Sequence, residues 1–173
     1  EIFVSEGSSA TIQFNDSTAI IMKELTSINI NEFENSKQNP KFKAELLKGK
    51  IVIESGSIAK NNNGNMIVDI TTSSIGLRGT RIDADLKPNG KSKISLATDS
   101  FGNVGEIEVT IEGQTSNITS TEQVLEISEN NETLSREKTN DEKEEAKTVG
   151  ETLIKSSKID EEEITKQLQQ KLE

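Results

Sequence analysis

Across residues 1–128 the apolar positions fall in short alternating runs, separated by clusters of Asn, Asp, Gly and Ser. ATIQF (10–14) sets Ile12 and Phe14 on one face and Thr11 and Gln13 on the other, the period-two mark of a half-buried strand. EIEVTI (106–111) alternates throughout, with Ile107, Val109 and Ile111 facing one way. TAIIM (18–22), TSINI (26–30), MIVDITT (66–72) and SKISLA (92–97) read as further strands, and QVLEI (123–127) as the last one. KAELLKGKIVIESG (43–56) reads as one long strand, or a pair interrupted at Gly49. NDS (15–17), KPNG (87–90) and TDSFGN (98–103) are turns. KNNNGN (60–65) carries hairpin-turn residues, because Asn and Gly tolerate positive φ. Strands roughly eight to twelve residues apart with Gly/Asn turns predict a mainly β fold, a sandwich or roll, with a short solenoid as the alternative.

Beyond residue 128 the pattern changes. Residues 129–145 are charged and nearly free of apolar side chains, the composition of a disordered linker, and 146–173 read as a helical tail. A weaker helical pattern runs over 141–156, with Val149 and Leu153 on one face. DEEEITKQLQQKLE (160–173) has Asp160 as N-cap, Glu163 completing a capping box, and Ile159 and Ile164 placed as a staple. Ile164, Leu168 and Leu172 form a stripe too narrow to stand alone, which predicts helix-mediated association or docking.

Composition narrows the chemistry. The chain has 173 residues, 31% of them hydrophobic, with five Phe and no Trp or Tyr, so Ile, Val and Leu must build the core. It has no His and no Cys. That excludes a histidine base, a thiolate nucleophile, zinc fingers and CxxC redox pairs within this chain. A net charge of −10 argues against nucleic acid as a partner. No run approaches the roughly 20 apolar residues of a membrane span. The first residue is Glu1 and no signal-peptide pattern follows it, so the chain reads as a fragment of a longer protein or a mature form.

One stretch stands out: SSIGLRGTRIDAD (73–85). Arginine occurs three times, at Arg78, Arg81 and Arg136, and two of these lie here, where a planar donor fork does what lysine cannot. Arg78 sits between Gly76 and Gly79. Small neighbours allow carbonyl oxygens to approach and surround a guanidinium, so Arg78 is expected as an internal clamp with a buried carboxylate partner, Asp16 being one candidate. Breaking such a buried pair costs on the order of 3–5 kcal/mol. Asp83 and Asp85 share one face of a strand and could ligate Ca²⁺ or Mg²⁺ or act as an acid/base pair; a solvated face, with Arg81 pairing to Asp83, is the plainer reading. AKNNNGNMIVDI fails as a calcium loop, because Ala59 and Ile70 would fill ligand positions. The Asn15, Asn117 and Asn131 sequons are chance matches in an Asn-rich chain.

Three segments in order resemble the FecR domain family: GSSATIQFNDSTAIIMKELTSINI (7–30), LLKGKIVIESGSIAK (46–60) and TTSSIGLRGTRIDAD (71–85). The signature is Gly76, Leu77, Arg78, Gly79 and Thr80 after Ile75, with Asp16 in the opening segment; Thr72 stands where the family usually has proline. The resemblance covers about 3–112. It implies an extracytoplasmic FecR-like all-β domain over 1–128, without cofactor or catalytic residues. Its role would be a protein-binding, signalling or structural module of the bacterial envelope, periplasmic or at the cell surface. Best-known members are the periplasmic part of membrane-bound anti-sigma regulators that contact TonB-dependent transporters, and that regulator role is an alternative reading. Carbohydrate or peptidoglycan binding is another, although the stacking platforms of sugar sites, Trp and Tyr, are missing. A metal-dependent enzyme built on Asp83 and Asp85 ranks last.

Overall fold

One 14-residue strand, β5 (Lys41–Glu54), bends at Gly49 and so belongs to two layers. A computed structural model of the chain describes residues 1–61 and 65–154. Before the bend Phe42, Ala44 and Leu46 enter the core; after it Ile51 and Ile53 do. That change of parity needs an irregularity between them. Gly49 supplies it at φ 86°, and a Cβ there would meet Thr26 Oγ1 at 2.5 Å and Thr26 Cα at 2.6 Å. Thr26 closes the corner: its hydroxyl accepts from Lys50 N (3.0 Å) and donates to Lys50 O (3.1 Å).

On one side of β5 lie β3 (Ala19–Met22) and β4 (Ser27–Glu34), both antiparallel to it. On the other lie β6 (Met66–Ile70), parallel to the first half, and β8 (Arg81–Leu86), antiparallel to the second. β1 (Ile2–Phe3) pairs with β4, and β2 (Ala10–Gln13) with β3. From β6 one layer continues through β7 (Ser73–Arg78), β10 (Glu106–Ile111) and β11 (Gln114–Ile118). From β8 the other continues through β9 (Ser92–Ala97), β12 (Gln123–Ile127) and β13 (Thr133–Glu137). The nine-strand path β11-β10-β7-β6-β5-β8-β9-β12-β13 curls into a half-barrel.

The two ends of the path meet. Asn131, in the β12–β13 turn, donates from Nδ2 to Glu112 Oε1 in the β10–β11 turn (2.7 Å) and also bonds Thr72. Inside the curl, alternate residues of every long strand form one core, including Ile20, Met22, Leu46, Ile53, Val68, Ile75, Leu77, Ile82, Leu96, Ile107 and Leu125. Three of the five Phe, Phe14, Phe33 and Phe42, contribute a ring cluster with centroids 4.8–6.2 Å apart. A helix described over 140–154, here α2, lies on the outer face of the β3–β5–β8 layer, where Val149 and Leu153 pack on Ile21 and Val52.

Several expectations need correction. KNNNGN does not make a hairpin: β5 and β6 run parallel, and the short helix α1 (Ser57–Asn61) begins the crossover that parallel pairing requires. QVLEI is not the last strand, since β13 follows it, and β11 was missed. Residues 129–145 include β13 and the start of α2, so they are not a structureless linker. The charges there pair with one another and with the sheet, a gain that composition does not reveal. The stripe Ile164, Leu168 and Leu172 lies outside the described residues.

Candidate functional site

In the signature stretch Gly79 and Thr80 join β7 of one layer to β8 of the other, and the two strands pair with different neighbours. Gly79 takes φ 64°, and Gly105 packs so closely that a Cβ on it would sit 2.1 Å from Arg78 O and 2.5 Å from Gly79 O. Thr80 is fully buried. Its N–H donates to Ser55 Oγ (2.8 Å), its carbonyl accepts from Ser55 N (3.0 Å), and its hydroxyl donates to Ala97 O (3.3 Å). Leu77 enters the core and Arg78 points to the opposite face. There Arg78 Nη1 donates to Glu106 Oε1 (2.9 Å) and Nη2 to Glu108 Oε1 (2.5 Å), with its side chain 31% exposed. Gly76 lies opposite Glu108, and a Cβ there would meet the Glu108 side chain only at ordinary contact distance, 3.7 Å. The expected cage of carbonyls is therefore replaced by a half-exposed pair with two glutamates, and Asp16 is not its partner.

Asp16 belongs to a different structure. Its carboxylate accepts from Thr18 N (2.9 Å), Thr18 Oγ1 (2.8 Å) and Ile58 N (3.5 Å), and its carbonyl from Ser57 N (2.8 Å). Thr18 Oγ1 in turn accepts from Gly56 N (3.0 Å). Close by in the fold, Glu54 accepts from Ser100 N (3.0 Å) and from its hydroxyl. Asp99 accepts from Phe101 N (3.0 Å), Asn103 N (2.7 Å) and Asn103 Nδ2 (3.2 Å), and faces Lys60 Nζ at 3.5 Å. Burial alone would raise the Asp99 carboxyl, but the Asn103 and Phe101 donors and Lys60 hold it below its ordinary range. These bonds fix the 98–105 loop, which presents Phe101 77% exposed and Val104 50% exposed, with the Lys60 ammonium 5.2 Å from the Phe101 ring centre.

The outer face of β8 holds Arg81, Asp83 and Asp85, and α2 covers it. Arg81 is 4% exposed. One terminal nitrogen donates to Ala146 O (2.5 Å), the other lies 2.7 Å from where a Cβ on Gly150 would be, and Nε has no partner. Asp83 is half-buried, with Oδ2 shut off from solvent and unpaired. Burial pushes its carboxyl up, against the pull of Arg81, Lys138 and Lys50. Lys138 donates to Leu96 O (2.7 Å), and burial pushes its ammonium down although Asp83 pulls the other way. Asp85 pairs with Lys87 (2.8 Å). Among the described residues no group of three His, Cys, Asp or Glu side chains converges in a way that could hold a metal ion.

The N-terminal end of α2 is firmly tied. Thr139 and Glu142 form a capping box, Glu142 N donating to Thr139 Oγ1 (3.3 Å) and Thr139 N to Glu142 Oε2 (2.9 Å). Arg136 grips Glu142 with both terminal nitrogens (2.8 and 2.7 Å) and Glu126 through Nε (2.8 Å). The guanidinium holds the Glu142 carboxyl well below its usual range. Further along the helix Lys50 pairs with Glu145 at 2.5 Å. Two of the three arginines thus serve α2. The sequence T-N-D-E (139–142) carried the capping-box signal for this helix start, and the sequence reading passed over it.

Residues 1–104 match the family described as FecR protein, and the chain belongs to that family. Two crystal structures, at 2.50 and 1.65 Å resolution, of a candidate anti-sigma factor from Parabacteroides distasonis ATCC 8503 have the same fold, with TM-scores of 0.60 and 0.61 at 13% identity. Both cover 79% of this chain, and the match spans 59% of theirs. No curated protein matches the sequence. Among the described residues no helix is long and apolar enough to cross a membrane.

Proposed function

We propose that the chain is the extracytoplasmic, non-catalytic β domain of an anti-sigma-type envelope regulator, and that it acts by binding a protein partner. The observation that carries this reading is the shared fold with a protein named as a candidate anti-sigma factor, over a larger share of the chain than residues 1–104. Regulators of this family resemble one another in a periplasmic domain that receives a signal from a TonB-dependent transporter, so that transporter's N-terminal signalling domain is the proposed partner. The clamp-held loop bearing Phe101 and Val104 is the proposed contact. Buried carboxylates fix its backbone while its apolar tip stays in solvent, the preorganisation expected of an interface anchor.

The test is a titration of the chain with the signalling domain of a transporter from the same genome, read by calorimetry and co-elution. Binding in the micromolar range, weakened about tenfold by Phe101→Ser, supports the reading. No complex at about 100 µM with any such domain overturns it in favour of a structural envelope module.

A further inference from the structure

We propose that the outer edge of β11 is a self-association edge, to which a second copy of this chain adds its own β11 antiparallel, centred on Ser116. This goes beyond the regulator reading and stands independently of it.

Among the described residues β1, β2, β11 and β13 end the layers. Strand edges are usually blunted by brevity, charge, proline or a bulge. β1 has two residues and β2 four, and β13 carries Arg136 and Glu137. β11 has none of these devices. Its five residues lack charge and proline, its register with β10 is unbroken, and Gln114, Thr115, Ser116 and Asn117 are all exposed. The surrounding run GQTSNITST (113–121) holds no charge, in a chain that is 29% charged with a net charge of −10. A second copy can meet this edge without setting like charges opposite one another.

The turn before β11 decides which backbone groups point outward. Glu112 (φ 49°) and Gly113 (φ 81°) form a two-residue turn with positive φ at both positions, which makes Ile111 and Gln114 a hydrogen-bonded pair. Pairs alternate from there. Gln114, Ser116 and Ile118 turn their N–H and C=O groups toward β10, and Thr115 and Asn117 turn theirs to the outer edge. The Thr110 and Thr115 hydroxyls, 2.9 Å apart, sit as the close side chains of a non-hydrogen-bonded pair do. An antiparallel copy centred on Ser116 sets Thr115 opposite Asn117 of the second copy, and Asn117 opposite Thr115 of the second copy. Each of these pairs exchanges two bonds, so all the outward groups of both residues are answered. The arrangement is two-fold symmetric, the form of a closed homodimer. One short strand pair is small beside the roughly 1,200 Å² of a stable interface, so the dimer is weak and reversible.

The chain has no cysteine, so one introduced thiol reports the register. Ser116 faces its own equivalent in a non-hydrogen-bonded pair, with Cα atoms about 4.5 Å apart, within disulfide reach. Thr115 and Asn117 lie two positions out of register with their own equivalents, beyond that reach. Under mild oxidation of the full chain at about 100 µM, Ser116→Cys should cross-link at least about tenfold faster than Thr115→Cys or Asn117→Cys. Sedimentation of the wild type at the same concentration should show monomer in exchange with dimer. Asn117→Pro removes an outward donor while sparing the ladder to β10. It should leave the protein monomeric and, combined with Ser116→Cys, abolish the cross-link. Thr115→Lys carries the same test if the proline variant does not fold. A wild type that is monomer only, the result expected where another segment of the chain covers this edge, overturns the proposal. Equal cross-linking from all three positions, the mark of random collision, overturns it too. So does a dimer that survives in a folded Asn117→Pro or Thr115→Lys protein.

Discussion

Buried charge is handled in opposite ways at two places in this molecule. Around α1, the carboxylates of Asp16, Glu54 and Asp99 are surrounded by backbone N–H groups and hydroxyls of the β body itself. Beside α2, Arg81 and Lys138 are buried and Asp83 is half-buried, and two polar atoms, Arg81 Nε and Asp83 Oδ2, are left without partners. A satisfied buried carboxylate ties loops to a core. An unsatisfied charge favours whatever state lets water reach it. The first region is part of the fold. The second leaves part of its charge unanswered.

Two glycines break or sharpen this contrast most. A Cβ at Gly56 would lie 2.2 Å from Asp16 O and 2.5 Å from Thr18 N, both backbone atoms in the clamp. Gly56→Ala is therefore expected to cost about 3 kcal/mol of global stability in urea unfolding. A Cβ at Gly150 would meet the far end of the Arg81 side chain, at 2.7 Å. Gly150→Ala is expected to change the global midpoint by less than about 1 kcal/mol, because a flexible side chain can give way and alanine favours helix. Equal costs would erase the distinction between the two regions. Next in size, Asp16→Ala should cost about 2 kcal/mol, since it orphans the buried Thr18 N–H and hydroxyl.

The pH dependence separates the regions by sign. Asp99 has a folded pKa below its unfolded value near 3.8, so its contribution is present above that value and is lost as pH falls through the folded pKa. Asp83 has a raised folded pKa. Its contribution is full below about 3.8 and is lost as pH rises through the folded value, with Arg81, Lys138, Lys50 and Glu145 facing it from β8, the segment after β13, β5 and α2. Urea midpoints measured from acid to neutral pH should show Asp99→Asn losing stability relative to wild type as pH rises, and Asp83→Asn gaining. Parallel curves for the two variants would mean that both carboxylates sit in equivalent surroundings.

The β body was legible because alternation states which side of a strand is buried, and Ile12, Ile107 and Val109 needed no tertiary knowledge. The bend was half legible: Gly49 marked an interruption, but only the contact with Thr26 turns it into a corner between layers. β11 was invisible because QTSNI has one apolar residue, and its pairing with β10 is fixed by a two-residue turn at Glu112 and Gly113. β13 and the start of α2 were hidden for a related reason. Much of their stabilisation is ionic and non-local, as in Lys93–Glu142 and Lys50–Glu145, so a charged segment looks the same whether paired or solvated. The motif residues Thr80 and Gly79 sit in a buried turn, while the partners of Arg78, 28 and 30 positions away, could only come from strand register.

Arg78 gives the smallest and most diagnostic effect. A guanidinium enclosed by carbonyls would make even lysine a severe substitution, on the scale of about 3–5 kcal/mol for a broken buried pair. The observed geometry is different: its side chain is 31% exposed and the Glu106 and Glu108 side chains are 35% and 32% exposed, so solvent screens both pairs. Lysine can reach one glutamate but not both at once. Arg78→Lys is therefore expected to cost about 0.5 kcal/mol, and a double-mutant cycle with Glu108→Gln to show a coupling of similar size. The coupling should shrink as salt is raised from low to molar concentration. A salt-independent loss several times larger would place the guanidinium in a dry site and return it to the role that its flanking glycines suggest.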